Sequence, residues 1–383
     1  MSAAGDAAAG LRVATALADY WLGRRPQEGL EWLQDLLAAA PARPRARADA
    51  LLRMGHLAYW ITDFQLGKRL VADALSEYDG LGDALGAGRA LRRLGAIAAA
   101  ADDVVAARSY FEQSLSWLEV AGSEPDIGTT LLHLGSLLAD ESLVVESGPM
   151  LRRALAIAQR GTDPLAEGHA LAALTLSLWR AGDLDEAAVV GKRALSAFSS
   201  LGHRPTEGTV AYRLAAVSRG LGRPAEARRY AQVALAAGRL SGTRTTTALA
   251  NVNLARLDLD AGDPRAASAN ISAALAELEP TADRWVLVEC LEALARLLAE
   301  RGDPRAGDIA ATAATIRRAI RQPVAPTEAA DVAALPLGHS AGTDPVAAYR
   351  IAMDAAAGVT TRISEETVVA LETRRRSQRN RRR

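Results

Sequence analysis

The sequence predicts an all-α chain, a solenoid of helix pairs stacked at a step of 40 residues. Three observations predict it. The dipeptide Gly182-Asp183 returns as Gly222-Arg223, Gly262-Asp263 and Gly302-Asp303, and Asp63 and Asp103 fall on the same grid upstream. The doublet Ala74-Leu75 returns as Ala154-Leu155, Ala194-Leu195, Ala234-Leu235 and Ala274-Leu275, with Ser114-Leu115 as a variant. Between these marks the apolar residues recur at helical spacing. Self-similarity at a fixed period of ~20 to 50 residues belongs to arrays in which each unit buries its apolar face on its neighbours.

Composition narrows the rest. A single core stops growing near ~250 to 300 residues, so a chain of 383 residues must divide or repeat, and repetition resolves it. Lys+Arg and Asp+Glu number 45 each, so no net charge draws the chain to nucleic acid or an acidic membrane, and its electrostatics must be local. Cys290 is the only cysteine, which excludes an intrachain disulfide framework and suits a reducing cytoplasm. Its grid equivalents are Ala50, Ala90, Thr130, Ala170, Val210 and Ala250, so a small packing residue is expected there. No stretch reaches the ~18 continuous apolar residues of a spanning helix. The N-terminus has no basic region ahead of its apolar run, so no signal peptide is expected.

In chain order, residues 1–45 read as a capping helix pair, with Leu11, Ala14, Leu17 and Ala18 on one helix and Leu30, Leu33, Leu36 and Leu37 on the other; Pro41 and Pro44 close it. Over residues 46–320 each repeat reads as helix A, a short turn, helix B and a longer turn. Helix A carries large-small pairs (Met54-Gly55, Leu94-Gly95, Leu134-Gly135, Leu294-Ala295) that let the next helix approach. Helix B carries a small slot (Ala107, Ala187, Ala227, Ala267) and bulkier contacts such as Phe111, Leu151 and Ile271. Gly182, Gly222, Gly262 and Gly302 suit left-handed helix ends. Asp183, Asp263 and Asp303 suit N-caps, with Pro224, Pro264 and Pro304 at the first helical position and Glu186 completing a capping box with Asp183. The repeat over 126–160 is expected to be irregular, because "ADESLVV" has no turn glycine and Ser147 replaces the small alanine. The period stops after Arg321. Residues 321–344, with Pro323, Pro326 and Pro336, read as an irregular connector; 345–373 read as C-terminal capping helices (345–357 and 364–373); 374–383, with seven arginines, read as a disordered tail.

Leu91, Leu94, Gly95, Ala98, Ala107, Phe111 and Ser114 fit the tetratricopeptide pattern. With "GLRVATALADYWLGRRPQEGLEWLQDLL", the "LGD" turns and "RGDPRAGDIAATAATIRRAIRQPVAPTE", residues 10–328 resemble the long-helix repeats in the C-terminal halves of bacterial ATP-dependent transcriptional regulators. These are the LuxR-like activators of the maltose-regulator type and the antibiotic-pathway regulators of actinobacteria. The resemblance implies a right-handed superhelical solenoid whose repeats act as a sensor for an inducer or a protein partner. The phosphate loop G-x-x-x-x-G-K-[ST] is absent from the sequence and no helix-turn-helix follows residue 345, so neither ATP hydrolysis nor sequence-specific DNA binding carries over.

Among catalytic signatures, no H-E-x-x-H, Cys-x-x-Cys or Gly-rich dinucleotide loop is present, and the five histidines share no ligand spacing. Neither a cofactor nor a metal is expected, and the chain reads as a non-enzyme. In tetratricopeptide folds the exposed face of helix A lines the concave wall. The repeat phase then places Asp49, His56, Tyr59 and Trp60 there, followed by Arg89 and Arg92, then His169, Trp179 and Arg180, then Tyr212 and Arg219, then Arg256, and last Glu289, Glu292 and Arg296. Aromatics and arginines are the usual carriers of binding energy at interfaces. Against this, Trp60 and Trp179 also suit the closing of helix ends, and Glu292 with Arg296 suits a solvated i,i+4 ion pair. The expectation is a cytoplasmic, regulatory protein- or peptide-binding module. The alternative is a small-molecule inducer sensor acting in trans on a separately encoded ATPase/DNA-binding regulator. Residues Arg374 to Arg383 offer nonspecific contacts to nucleic acid or simply a solubilising end.

Overall fold

A computed structural model describes residues 3–22, 24–39, 44–141, 143–278, 284–340 and 342–359. Among these the regular structure is helical throughout, without a strand. The helices are α1 (Ala3–Ala16), α2 (Ala18–Leu22), α3 (Pro26–Ala39), α4 (Pro44–Trp60), α5 (Phe64–Gly80), α6 (Ala84–Ala100), α7 (Val104–Ala121), α8 (Glu124–Asp140) and α9 (Val144–Arg160). They continue as α10 (Pro164–Ala181), α11 (Leu184–Leu201), α12 (Arg204–Gly220), α13 (Pro224–Ser241), α14 (Arg244–Asp260), α15 (Pro264–Ala276), α16 (Arg284–Glu300), α17 (Ala306–Ala319) and α18 (Ala329–Ala333). A last helix, α19, spans residues 345–359. The capping region thus holds three helices, α1 to α3, where the sequence predicts two.

The repeat has a finer beat than 40 residues. Left-handed backbone recurs every 20 residues, at Thr62, Gly82, Asp102 and Gly122, and again from Thr162 through Gly182, Gly202, Gly222 and Gly242 to Gly262. At these positions each helix with its turn is one 20-residue step, which ends on a residue that reverses the chain. Thr62, Asp102 and Thr162 hold this conformation without being glycine, at φ 61°, 64° and 55°. A β-branched residue is strained there, so Thr62→Gly is expected to stabilise the first unit by roughly 1 kcal/mol. A urea midpoint that falls rather than rises would contradict this.

Aspartates start many of the helices that follow. The carboxylates of Asp63, Asp83, Asp103 and Asp263 accept from the backbone N–H three residues on. Two predicted caps differ. Asp183 makes no side-chain cap bond, so its capping box with Glu186 does not form. Asp303 accepts from the Arg305 N–H and holds the Arg305 guanidinium at 2.7 Å, and α17 begins only at Ala306, which leaves Pro304 ahead of the helix.

The chain forms two compact units: residues 1–138 with 146–166, and residues 139–145 with 167–383. The stretch "ADESLVV", where irregularity is predicted, is residues 139–145, which count with the second unit. In the first unit the large-small pairs work as expected. A β-carbon on Gly95 would lie 2.6 Å from the Phe111 ring, and Gly55 and Gly135 face Val71 and Leu151 in the same register. In the second unit Ala187, Ala227 and Ala267 are fully buried, and so is Cys290, whose thiol pKa burial pushes up. Residues 364–373 and the arginine tail lie outside the described residues.

Candidate functional site

In the first unit a cavity of about 590 Å3 is walled by α1, α4 and α6, with Tyr78 of α5 and Asp126 of α8 at its edges. Asp49, Arg53 and His56 occupy one stripe of α4 and Arg89, Arg92 and Arg93 one stripe of α6, since residues three or four apart share a helix face. Arg12 and Thr15 of α1 and Arg45 of α4 complete the polar lining. Six arginines therefore face two aspartates.

Both carboxylates are already engaged. Asp126 takes a fork from Arg89 (3.0 Å from Nε, 2.8 Å from Nη2), a bond from Arg92 Nη1 at 2.9 Å and one from Ser123 Oγ at 2.8 Å. Burial works against its charge, but the bonds from Arg89 and Ser123 and the charge of Arg92 win, and its pKa falls to about 2. Asp49 accepts from the Tyr78 hydroxyl at 2.6 Å. Arg45 reaches Asp83 at 2.5 Å and Asp49 at 3.6 Å. His56 is held neutral, its pKa lowered to about 3 by burial and by Arg93, Arg53 and Arg92. Its Nε2 accepts from Trp60 Nε1 at 3.1 Å.

Of the predicted wall residues in this unit, Asp49, His56, Arg89 and Arg92 come together in the cavity. Tyr59 instead packs on Phe64 in the core, and Trp60 stands exposed beyond the cavity, fixed through His56. Arg93 sits one residue on from the predicted Arg92, and Arg53 lies one helical turn from both Asp49 and His56; Arg12 and Thr15 belong to α1, which the 40-residue grid does not reach.

The second unit is different. There the first helices of the pairs, α10, α12, α14 and α16, carry the predicted residues, but residues 321–335 lie across them. Trp179 Nε1 donates to Thr327 Oγ1 at 3.0 Å, and Arg180 Nη1 to the Pro323 carbonyl at 3.1 Å. Arg219 bonds Asp260 at 2.6 Å and meets Asp331 at 2.7 Å. Arg256 bonds Glu289 at 2.6 Å and Glu328 at 2.9 Å. Arg317 of α17 holds both Glu289 (3.0 Å) and Glu292 (2.8 Å). Trp179, Tyr212, Arg256, Glu289 and Glu292 are consequently buried, not lining an open wall. The solvated pair expected between Glu292 and Arg296 does not form: Glu292 pairs with Arg317, and Arg296 with Asp260 and Glu300. His169 packs against the rings of Phe198 and His203 at 5.1 and 6.0 Å, away from the described cavities.

The fold defines a protein of tetratricopeptide-like helical repeats. No family model matches the chain, and no curated protein matches it either. Solved structures do. A Rap protein complexed with Competence and Sporulation Factor aligns at TM-score 0.64 and 13% identity, covering 96% of this chain and 99% of that one. The apo quorum sensor NprR from B. thuringiensis aligns at TM-score 0.60 and 13% identity, covering 76% and 83%. The Rap conjugation gene regulator of plasmid pLS20, in complex with the Phr* peptide, aligns at TM-score 0.54 and 13% identity, covering 82% and 96%. At such identity the likeness is one of fold. No helix among the described residues is long and apolar enough to cross a membrane.

Proposed function

We propose that the chain is a cytoplasmic regulatory binding module that captures a carboxylate-rich peptide segment in the cavity of its first unit. The observation that carries this is the cavity wall of six arginines against two aspartates. Six guanidinium groups against two carboxylates give the lining an excess of positive charge. Planar guanidinium forks match carboxylates in geometry as well as charge. The volume of about 590 Å3 lies within the ~300 to 1,000 Å3 of ordinary ligand sites.

Binding, not catalysis, is what the titratable groups suit. A general acid or base works best with a pKa near the working pH, whereas His56 sits at about 3 and Asp126 at about 2. Two of the similar solved structures hold a factor or a peptide, and the sequence resembles the sensor regions of LuxR-like regulators. Both support a bound signal as the input. A small dianionic inducer acting on a separately encoded regulator would meet the same guanidinium groups, and the test separates it.

Titration calorimetry against acidic, neutral and basic octapeptides and against a small dicarboxylate is expected to give binding with the acidic peptide, weakening as salt rises. Arg53→Gln with Arg93→Gln is expected to cost at least about tenfold in affinity, since bonds to charged groups contribute ~1.5 to 3 kcal/mol. Equal binding of the neutral peptide, or an indifferent double variant, would remove the cavity from the reading; binding of the dicarboxylate alone would favour the inducer.

A further inference from the structure

We propose that the face formed by α10, α12, α14 and α16 in the second unit is itself a peptide site, held in this state by residues 323–331 of the same chain, and that it accepts in trans an acidic peptide presenting a hydroxyl and two carboxylates at the spacing of Thr327, Glu328 and Asp331. This is separate from the cavity of the first unit and stands on other residues.

The way the segment is held supports the assignment. Its contacts with the face are those of a bound peptide: side chains from successive repeats reach one hydroxyl, two carboxylates and a backbone carbonyl. Trp179 and Arg180 of α10 take Thr327 and the Pro323 carbonyl, Arg219 of α12 and Arg296 of α16 take Asp331, and Arg256 of α14 takes Glu328. Its backbone N–H groups bond locally, Gln322 to the Arg317 carbonyl, Glu328 to that of Ala325 and Val332 to that of Glu328. Between residues 322 and 335 only Ala325 and Glu328 are fully buried, at 2% and 4% exposure, and α18 buries none of its side chains. A core helix such as α14 buries most of its length. The segment is thus tied to the face chiefly by charge and hydrogen bonds, with little apolar area to hold it.

The charges of the face close without it. Arg256 and Arg317 stand against Glu289 and Glu292, two cations and two anions, and Glu328 is a third carboxylate brought to that cluster. Removing the segment strands no buried charge. A free peptide of the same chemistry meets a complete site, with the tethered copy competing at an effective concentration of order mM.

The test uses the full chain and a fluorescein-labelled peptide with the sequence of residues 321–335, read by anisotropy. The control peptide carries T327A, E328Q and D331N. Wild type is expected to bind the probe weakly. Glu328→Ala with Asp331→Ala, placed in the chain's own segment, is expected to raise affinity at least about tenfold, and adding Arg219→Ala and Arg296→Ala to abolish it. A folded double variant that ignores the probe, or that binds the control peptide equally, overturns the proposal. If the double variant fails to fold, hydrogen exchange on wild type decides: amides of 323–331 should open well before those of α14 and α16, and opening only in concert with them makes the segment part of the core and ends the proposal.

Discussion

Arg256→Met is expected to destabilise the second unit by roughly 3 to 5 kcal/mol, the usual cost of removing one partner from a buried ion pair. Arg256 is 5% exposed and lies between Glu289 at 2.6 Å and Glu328 at 2.9 Å, with Glu292 at 3.8 Å. Its own charge is reinforced by these carboxylates against the burial that opposes it. Methionine fills similar space but leaves three carboxylates to Arg317 alone. The loss should be read in the urea transition of the second unit, because a chain of two units need not unfold in one step. Glu328→Gln added to Arg256→Met should recover part of it, since it removes the surplus anion. A loss below about 1 kcal/mol, the scale of an exposed pair, would mean that these groups are solvated and that the cluster is not as described.

The repeat was legible because it is written in residues that only turns and close contacts need. Gly182, Gly222 and Gly262 mark left-handed helix ends, and Gly95 marks where Phe111 must fit. Thr62 and Asp102 take the same backbone conformation without the marker, so in the first unit the 20-residue beat shows in the dihedral angles, whereas Gly182, Gly202, Gly222, Gly242 and Gly262 write it into the sequence of the second. The candidate sites were partly legible. Counting the repeat phase finds Asp49, His56, Arg89 and Arg92, because recurrence specifies the side of helix A that faces inward. It misses Arg53 and Arg93, whose neighbouring positions reach the same space through long side chains, and it misses Arg12, since α1 belongs to no repeat. The larger omission is residues 321–335. A proline-punctuated segment has no period to read, and its partners lie far away in sequence: Thr327 meets Trp179 and Pro323 meets Arg180, 148 and 143 residues distant. Residues that the repeat phase places on an open wall, Trp179, Tyr212 and Arg256 among them, are therefore covered by a part of the chain that carries no pattern.

That covering segment should loosen as pH rises. Burial pushes the Glu328 carboxyl up from 4.5 to about 7; Arg256 and Arg317 pull against this, and Glu289 and Glu292 add to it. These groups come from α14, α16 and α17, and Tyr212 of α12 adds a phenol that is neutral over this range, its pKa raised by burial. Because the docked carboxyl holds its proton more tightly than a free one, the docked state binds more protons. Its contribution is fully present below about 4.5 and is lost as pH climbs through about 7. Glu292 shifts in the same direction, whereas Glu289 is held low by Arg256 and Arg317 and acts only in more acid solution. In the window between the free and docked values the docking free energy should fall with a slope approaching about 1.4 kcal/mol per pH unit, one proton's worth. Exchange of the 323–331 amides, corrected for its intrinsic pH dependence, should accelerate accordingly, and Glu328→Gln should remove most of the slope by supplying a neutral side chain at every pH. If wild-type protection instead grows across that interval, Glu328 docks as a fully paired anion and Arg256 belongs to it rather than to Glu289. If the glutamine variant keeps the whole slope, the proton resides on Glu292, and the surplus charge of the cluster is native to α16 instead of being carried in by the segment.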